Sequence, residues 1–281
     1  ASPPPSASTT PAAQAQDAGL AARLKEICDR SGGRCAAAVT HVETGRGAAF
    51  EGDTPLPLYS VFKLPLAVEV LKEVEEGRLT LEQKVRVEPA EAVPSSKENA
   101  ALWLETTERP LRELLELSIA RSDNTSTDKM LELVGGPEVV TRRMRALGLS
   151  NIEVRASAKD FLKSKDAHPN TATAADLARL LVMIQKGGAL APAQTELLLA
   201  VMSRTVTGDR RLRAGLPAGT PVADKTGSGP STTNDVGLIT LPGDRGRLAV
   251  AVLLDGSKLT PAQQEAVIAE AARAAFDAYV K

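Results

Sequence analysis

The chain has 281 residues, of which 43% are hydrophobic and 25% charged, with a formal net charge of −1. That length suffices for one large core or two intimately joined lobes. The near-zero charge and 2% aromatic content argue against a nucleic-acid surface, and no apolar run approaches the roughly 20 residues that a bilayer-spanning helix needs. Residues 1–16 (ASPPPSASTTPAAQAQ) are mainly Ala, Pro, Ser, Thr and Gln, with little to bury. They are predicted to be a disordered tail or linker, suited to the start of an exported protein or to a tether.

The folded domain is expected over 17–281. Leu20, Leu24 and Ile27 have helical spacing between Asp17 and Asp29. Cys35–Val42 reads as a buried strand and Ala48–Glu51 as a second, joined by a turn at residues 43–47. The Ser31-Gly32-Gly33 turn brings Cys28 back toward Cys35, either as a disulfide in an oxidising compartment or as two small buried thiols. Helical periodicity then dominates, at Val61–Glu76, Leu111–Arg121, Thr125–Val134, Pro137–Leu147, Thr173–Gln185 and Pro192–Met202. Gly77, Gly135, Gly148 and Gly187 stand just past helix ends. Strands return at Val222–Thr226, Val236–Leu241 and Leu248–Leu254, with a hairpin at Gly243-Asp244, and a last helix covers Pro261–Tyr279. The expected class is α/β of the α+β type. An antiparallel sheet is flanked by the N- and C-terminal helices (sheet lobe 17–57 and 203–281), and an all-helical lobe spans 58–202.

Three short strings carry chemistry. Ser60-Val61-Phe62-Lys63 opens an apolar helix. A lysine one turn after the serine, walled by Val61, Phe62, Leu64, Pro65 and Leu66, can lose its proton and serve as a base. Alone, the string is more often a helix-capping serine with a solvated lysine. Ser122-Asp123-Asn124 lies between two helices, where it reads either as a capping turn or as a proton relay (Ser122) with a substrate-binding amide (Asn124). Lys225-Thr226-Gly227 ends a strand and continues into Ser228-Gly229. A cation and hydroxyls there can hold a carboxylate, and Gly227 admits substrate close to the backbone. Their order and placement together point to one serine acyl-transfer site.

With Thr207–Arg211, Leu216–Gly219, Thr232–Asp235 and Gly135–Pro137 added, the chain resembles the class A serine β-lactamases from about residue 18 to the end. The resemblance implies a β-lactamase/transpeptidase-like fold and hydrolysis of β-lactams through an acyl-enzyme. Ser60 is the implied nucleophile, Lys63 its base, Ser122 the proton shuttle and Lys225 the cation that tunes it. Asn124, Thr226, Gly227, Ser228 and a basic residue bind substrate. Arg211 is the first candidate for that basic residue and Arg213 the second. The implied oxyanion hole is the backbone N–H of Ser60 and of Ser228. Neither a metal nor a cofactor is implied: two cysteines without a histidine cluster make no zinc site, and His41 and His168 lack ligand spacing. The expected partner is a small β-lactam or an acyl-peptide. Nucleic acid and a membrane span are not expected; export and a monomer are.

The resemblance breaks after Gly148. The E-x-x-L-N segment that supplies the deacylating glutamate in that family is missing, and its Glu position falls at Ala158. The loop counts about one residue short, and Asn170 stands where an Asp usually closes it. Asp160 is one candidate for deacylation; Glu153 is another. The third reading has no carboxylate, with slow release or release through Lys63. Alternative functions are a serine esterase or D-Ala-D-Ala peptidase-like acyl-transferase, and a penicillin-binding sensor that forms a stable adduct. Trp103 is read either as stacking on substrate at the cleft rim or as buried against the helical lobe.

Overall fold

The structure is a computed structural model that describes residues 17–163 and 169–280. The predicted tail at 1–16, and His168, lie outside the described residues. The helices are α1 (Ala18–Cys28), α2 (Lys63–Glu75), α3 (Lys97–Ala100), α4 (Leu111–Ala120), α5 (Asn124–Leu133), α6 (Pro137–Ala146), α7 (Ala158–Lys163), α8 (Ala174–Gln185), α9 (Pro192–Ser203) and α10 (Pro261–Val280). The strands are β1 (Arg34–His41), β2 (Gly47–Phe50), β3 (Leu56–Pro57), β4 (Lys84–Val87), β5 (Thr107–Pro110), β6 (Thr171–Ala172), β7 (Val222–Gly229), β8 (Thr232–Thr240) and β9 (Arg247–Asp255).

Five strands form an antiparallel sheet in the order β2-β1-β9-β8-β7. The period-2 alternation of its strands divides the apolar side chains between two faces. Val39, Ile239, Val250, Val252 and Leu254 face α1 and α10. Ala38, Val236, Leu238, Ala251 and Leu253 join one continuous core with α2, α4, α5, α8 and α9. Helix α8 packs directly on β1 and β9, so the helical part and the sheet share that core. The four helix-ending glycines all have positive φ, from 73° at Gly77 and Gly187 to 91° at Gly135. Cys28 and Cys35 are joined in a disulfide.

Three local features depart from the sequence reading. Ser60 precedes α2, in a 3-10 turn over Tyr59–Phe62. Strands β7 and β8 run past their apolar stretches to Gly229 and from Thr232, because pairing continues through Gly227↔Asn234 and Gly229↔Thr232 to a two-residue turn. The span expected to be helical also holds the pairs β3–β6 and β4–β5. In β4 the charged side chains of Lys84 and Arg86 alternate with the buried Val85 and Val87, a short strand signal inside a helical region.

Candidate active site

The serine turn is held from the sheet. Asn234, buried in β8, donates its amide Nδ2 to the carbonyls of Pro57 (2.8 Å) and Leu58 (3.2 Å), while its Oδ1 accepts the Leu254 N–H at 3.1 Å. Strand β7 presses against the same turn: a Cβ on Gly227 would lie 2.4 Å from the Leu58 carbonyl oxygen. Gly227 is therefore required by the serine turn itself, a second reason for glycine beside the expected approach of substrate to the backbone. Gly229 makes room in the same way for the Tyr59 ring. Tyr59 has φ of 46°, a strained backbone next to Ser60.

Lys63 begins α2, its N–H bonded to the carbonyls of Ser60 and Val61. Its side chain is fully buried. Nζ lies 2.6 Å from the Ser122 carbonyl, 2.8 Å from Asn124 Oδ1 and 3.3 Å from Ser122 Oγ. Burial, then the nearby Lys225 charge, push its pKa well below the usual lysine value, against the opposing carboxylates of Asp123 and Asp128. Ser122 sits at φ 56°. Asp123 creates that bend: Oδ2 caps α5 by accepting the Ser126 N–H (2.7 Å) and hydroxyl (2.6 Å), and Oδ1 accepts the Trp103 indole N–H at 3.3 Å. Trp103 is thus buried, 2% exposed, and is a support of the turn rather than a platform for substrate.

On the facing strand, Lys225 is fully buried and donates to Ser122 Oγ at 3.1 Å and to the Thr226 carbonyl at 2.8 Å. Burial lowers its pKa to about 7, although Asp224 and Asp235 pull it upward. Thr226 shares a hydroxyl contact of 2.6 Å with Thr207. The two arginine candidates separate clearly. Arg211 is buried and bonds the carbonyls of Gly227 (3.0 Å) and Asn234 (2.9 Å) and the exposed Ser228 hydroxyl (2.7 Å). Arg213 pairs instead with the buried Asp224. Asp224 is raised to about 6 by burial, and burial, with the neighbouring Asp224 charge, also pushes Asp235 well above the usual carboxylate value.

The loop that carries α7 is anchored without an acid at the expected place. Ala158 is fully buried, and its N–H and that of Lys159 are both accepted by the Asp128 carboxylate, at 2.7 and 2.8 Å. Asn170 closes the neck by accepting the N–H groups of Arg155 (2.8 Å) and Ala156 (3.0 Å) and donating to the Ala156 carbonyl. Phe161 lays its ring edge-on to Tyr59 and Phe62, centroids 6.3 Å away in both cases. Four residues after Ala158, where the asparagine of E-x-x-L-N would stand, is the exposed apolar Leu162. Asp160 is exposed and its carboxylate accepts the Ser157 hydroxyl at 2.8 Å, a local cap on α7. Glu153 is paired with Arg145 and Arg155. Neither carboxylate joins the Lys63–Ser122–Lys225 group. Asn234 and Asp128 are the supporting residues that sequence reading left without a role. No local signal marked either: Asp128 lies in the polar run 124–129 and Asn234 between Thr233 and Asp235.

The profile of the β-lactamase enzyme family matches residues 19–279. The extended-spectrum β-lactamase PER-1 of Pseudomonas aeruginosa is 34% identical over 234 residues, 80% of this chain and 76% of that protein. A crystal structure of a β-lactamase from Chitinophaga pinensis superimposes with a TM-score of 0.89 at 33% identity, covering 92% of this chain and 99% of that one. An ancestral class A β-lactamase gives 0.86 at 35% identity, with 92% and 100% coverage.

Proposed function

The chain belongs to the β-lactamase enzyme family, as a class A serine β-lactamase, and from that premise we propose that it opens β-lactam rings through an ester on Ser60 that is formed readily and released slowly. The observation that carries the reading is the bridge of Ser122 Oγ between the amines of Lys63 and Lys225, at 3.3 and 3.1 Å. A neutral Lys63 donates two N–H bonds, to the Ser122 carbonyl and Asn124 Oδ1, and keeps a lone pair to take the Ser60 proton. Ser60 Oγ attacks the lactam carbonyl carbon, the backbone N–H groups of Ser60 and Ser228 stabilise the developing oxyanion, and the ring C–N bond breaks. The proton passes from Lys63 through Ser122 to the leaving nitrogen. Lys225, Thr226 and Ser228 receive the substrate carboxylate, and Arg211 orients the Ser228 hydroxyl.

Water must then cleave the ester, releasing a carboxylic acid and restoring the Ser60 hydroxyl. A positioned general base contributes typically 10²–10⁴-fold to such a step. The buried methyl of Ala158 and the apolar Leu162 leave this step to Lys63 or to unassisted water. A penicillin-binding sensor is the second reading, favoured by the same Ala158. We place the protein outside the cytoplasm, as the Cys28–Cys35 disulfide fits an oxidising compartment. Among the described residues no helix is long and apolar enough to cross a membrane.

Time-resolved intact mass after penicillin exposure tests the reading, with a chromogenic cephalosporin followed in parallel. The expected result is rapid, stoichiometric mass gain, slow return to the free mass, and neither event in Ser60→Ala. Absence of any adduct, with cephalosporin turnover surviving in Ser60→Ala, refutes it.

A further inference from the structure

The end of β7 farthest from its Lys-Thr-Gly segment borders a pocket of about 280 Å³, enclosed between α9, the ends of α8 and β9, and the edge of the sheet. Leu199, Ala223 and Leu238 give it apolar walls, and two guanidinium groups, those of Arg213 and Arg247, line it. Arg213 is paired with the buried Asp224. The Arg247 side chain has no carboxylate partner among the described residues. Two cations and no carboxylate thus line the pocket itself, with Asp224 behind Arg213 and Glu43 on the Arg247 backbone N–H, an arrangement that favours an anion between the two guanidinium groups. Its polar lining is also unfinished: Arg213 Nε and Gln185 Oε1 are enclosed with no hydrogen-bond partner among the described residues.

We propose that this pocket binds a small organic carboxylate, its charged end between Arg213 and Arg247 and its apolar body against Leu199 and Leu238, and that occupancy is felt at Lys225. Guanidinium groups favour carboxylates because their donors match the two oxygens. The volume lies just below the range of about 300–1,000 Å³ that drug-sized ligands fill, so the ligand class is fragment-sized. The link to the active site is a single step along β7. Asp224, the partner of Arg213, precedes Lys225 in the chain. A carboxylate that shares Arg213 leaves the buried Asp224 with a weaker counter-charge and favours its protonated form. Lys225 then loses a neighbouring anion, its ammonium form is less favoured, and an anionic substrate is captured less well.

The test uses the full chain, ¹⁵N-labelled and titrated with benzoate at constant ionic strength, with benzamide as the neutral twin. Saturable amide shifts at Ala223 and Leu238 are expected with benzoate in roughly the millimolar range, and not with benzamide. Arg247→Leu should weaken binding by about tenfold or more, since charge-assisted pairs are the strong ones, and Arg247→Lys should recover much of it. With benzoate near its parent dissociation constant, Ser60 acylation should slow by up to about twofold in the parent and by less than about a tenth in Arg247→Leu, where a tenfold weaker site is almost empty. Absent saturation, equal binding of benzamide, or full affinity in a folded Arg247→Leu overturns the site. Slowing that persists in Arg247→Leu means benzoate acts in the cleft near Arg211, and overturns the link to Lys225. The shifts are read without any acylation, so failure of the pocket and failure of the Ser60 mechanism are distinguishable.

Discussion

The two sides of the active cleft are built to different degrees of completeness. On one side Lys63, Ser122 and Lys225 come from three elements, two of them the regular α2 and β7. Each polar atom there is met by a partner from another element. On the other side α7 has six residues and a well-defined anchorage: two N–H groups on Asp128, the Asn170 amide at the neck, and Phe161 against the serine turn. What α7 lacks is an acid pointed at the site. The contrast shows that the placing of a loop and its acid–base chemistry are separable. Asp128 and Asn170 supply the placing, and the α7 carboxylate, Asp160, is engaged in a local cap with Ser157. The two half-reactions of an acyl-enzyme cycle should therefore respond to different substitutions.

The largest effect should come from the complete side. Lys63→Met keeps the apolar packing of the buried stem and removes the base, so Ser60 acylation should fall by about 10²–10⁴-fold. Ester hydrolysis, measured on protein acylated to completion by long incubation, decides whether Lys63 also serves release. Loss on the acylation side is checked by stopped-flow mixing and quenched mass measurement, with a thermal melt to confirm folding. Acylation within tenfold of the parent would break the assignment of Lys63 as base.

The next effect belongs to the incomplete side and runs the other way. Ala158→Glu with Leu162→Asn restores a carboxylate and an amide to an anchored loop. The ester lifetime should shorten by about 10²-fold or more, with acylation unchanged. A folded double variant whose ester persists as long as the parent's would show that the loop's placing, and not its missing acid, limits release.

The difference in completeness also governs what was legible in the sequence. Ser60, Lys63, Ser122 and Lys225 were singled out because each lies in a short motif at an element boundary, and the fold brings the Lys63, Ser122 and Lys225 side chains together. The antiparallel sheet followed from the strand hairpins, while its order, with β1 beside β9, is set by pairing between the two ends of the chain. The supports were harder to see. Asn234 precedes the expected strand by two residues, and its partners Pro57 and Leu58 lie 177 and 176 residues away, a distance that only the β8–β9 register and the packing of the serine turn bring together. Gly227 was noticed for substrate alone, and its second neighbour, the Leu58 carbonyl, is visible only in the folded chain. Trp103 was ambiguous because a cleft-rim tryptophan and a buried one have the same local sequence, and only the hydrogen bond to Asp123 separates them. Asp160 drew attention as an acid near the vacant position, yet a serine three residues before it makes a self-contained helix cap.

The smallest effect is a pH dependence confined to the complete side. Lys225 has its pKa lowered to about 7, so it is an ammonium below that pH and neutral above it. A substrate carboxylate needs the ammonium, whereas Lys63, lowered well below the ordinary value, needs to be neutral. Raising the pH from about 6 to about 8 should therefore lower the charged fraction of Lys225, and with it the acylation kcat/KM, by about tenfold, because that ratio reports the free enzyme. The loss should appear as weaker saturation rather than a slower maximal rate, as a bound carboxylate favours the ammonium and draws the proton back. Lys225→Arg keeps its charge across this range and should flatten the descending limb while lowering acylation overall, since Ser122 loses a donor of the right reach. Acylation profiles measured for the parent and Lys225→Arg decide the point: a descending limb near pH 7 that survives in the arginine variant belongs to another group, and would detach Lys225 from carboxylate capture while leaving the Lys63–Ser122 contact intact.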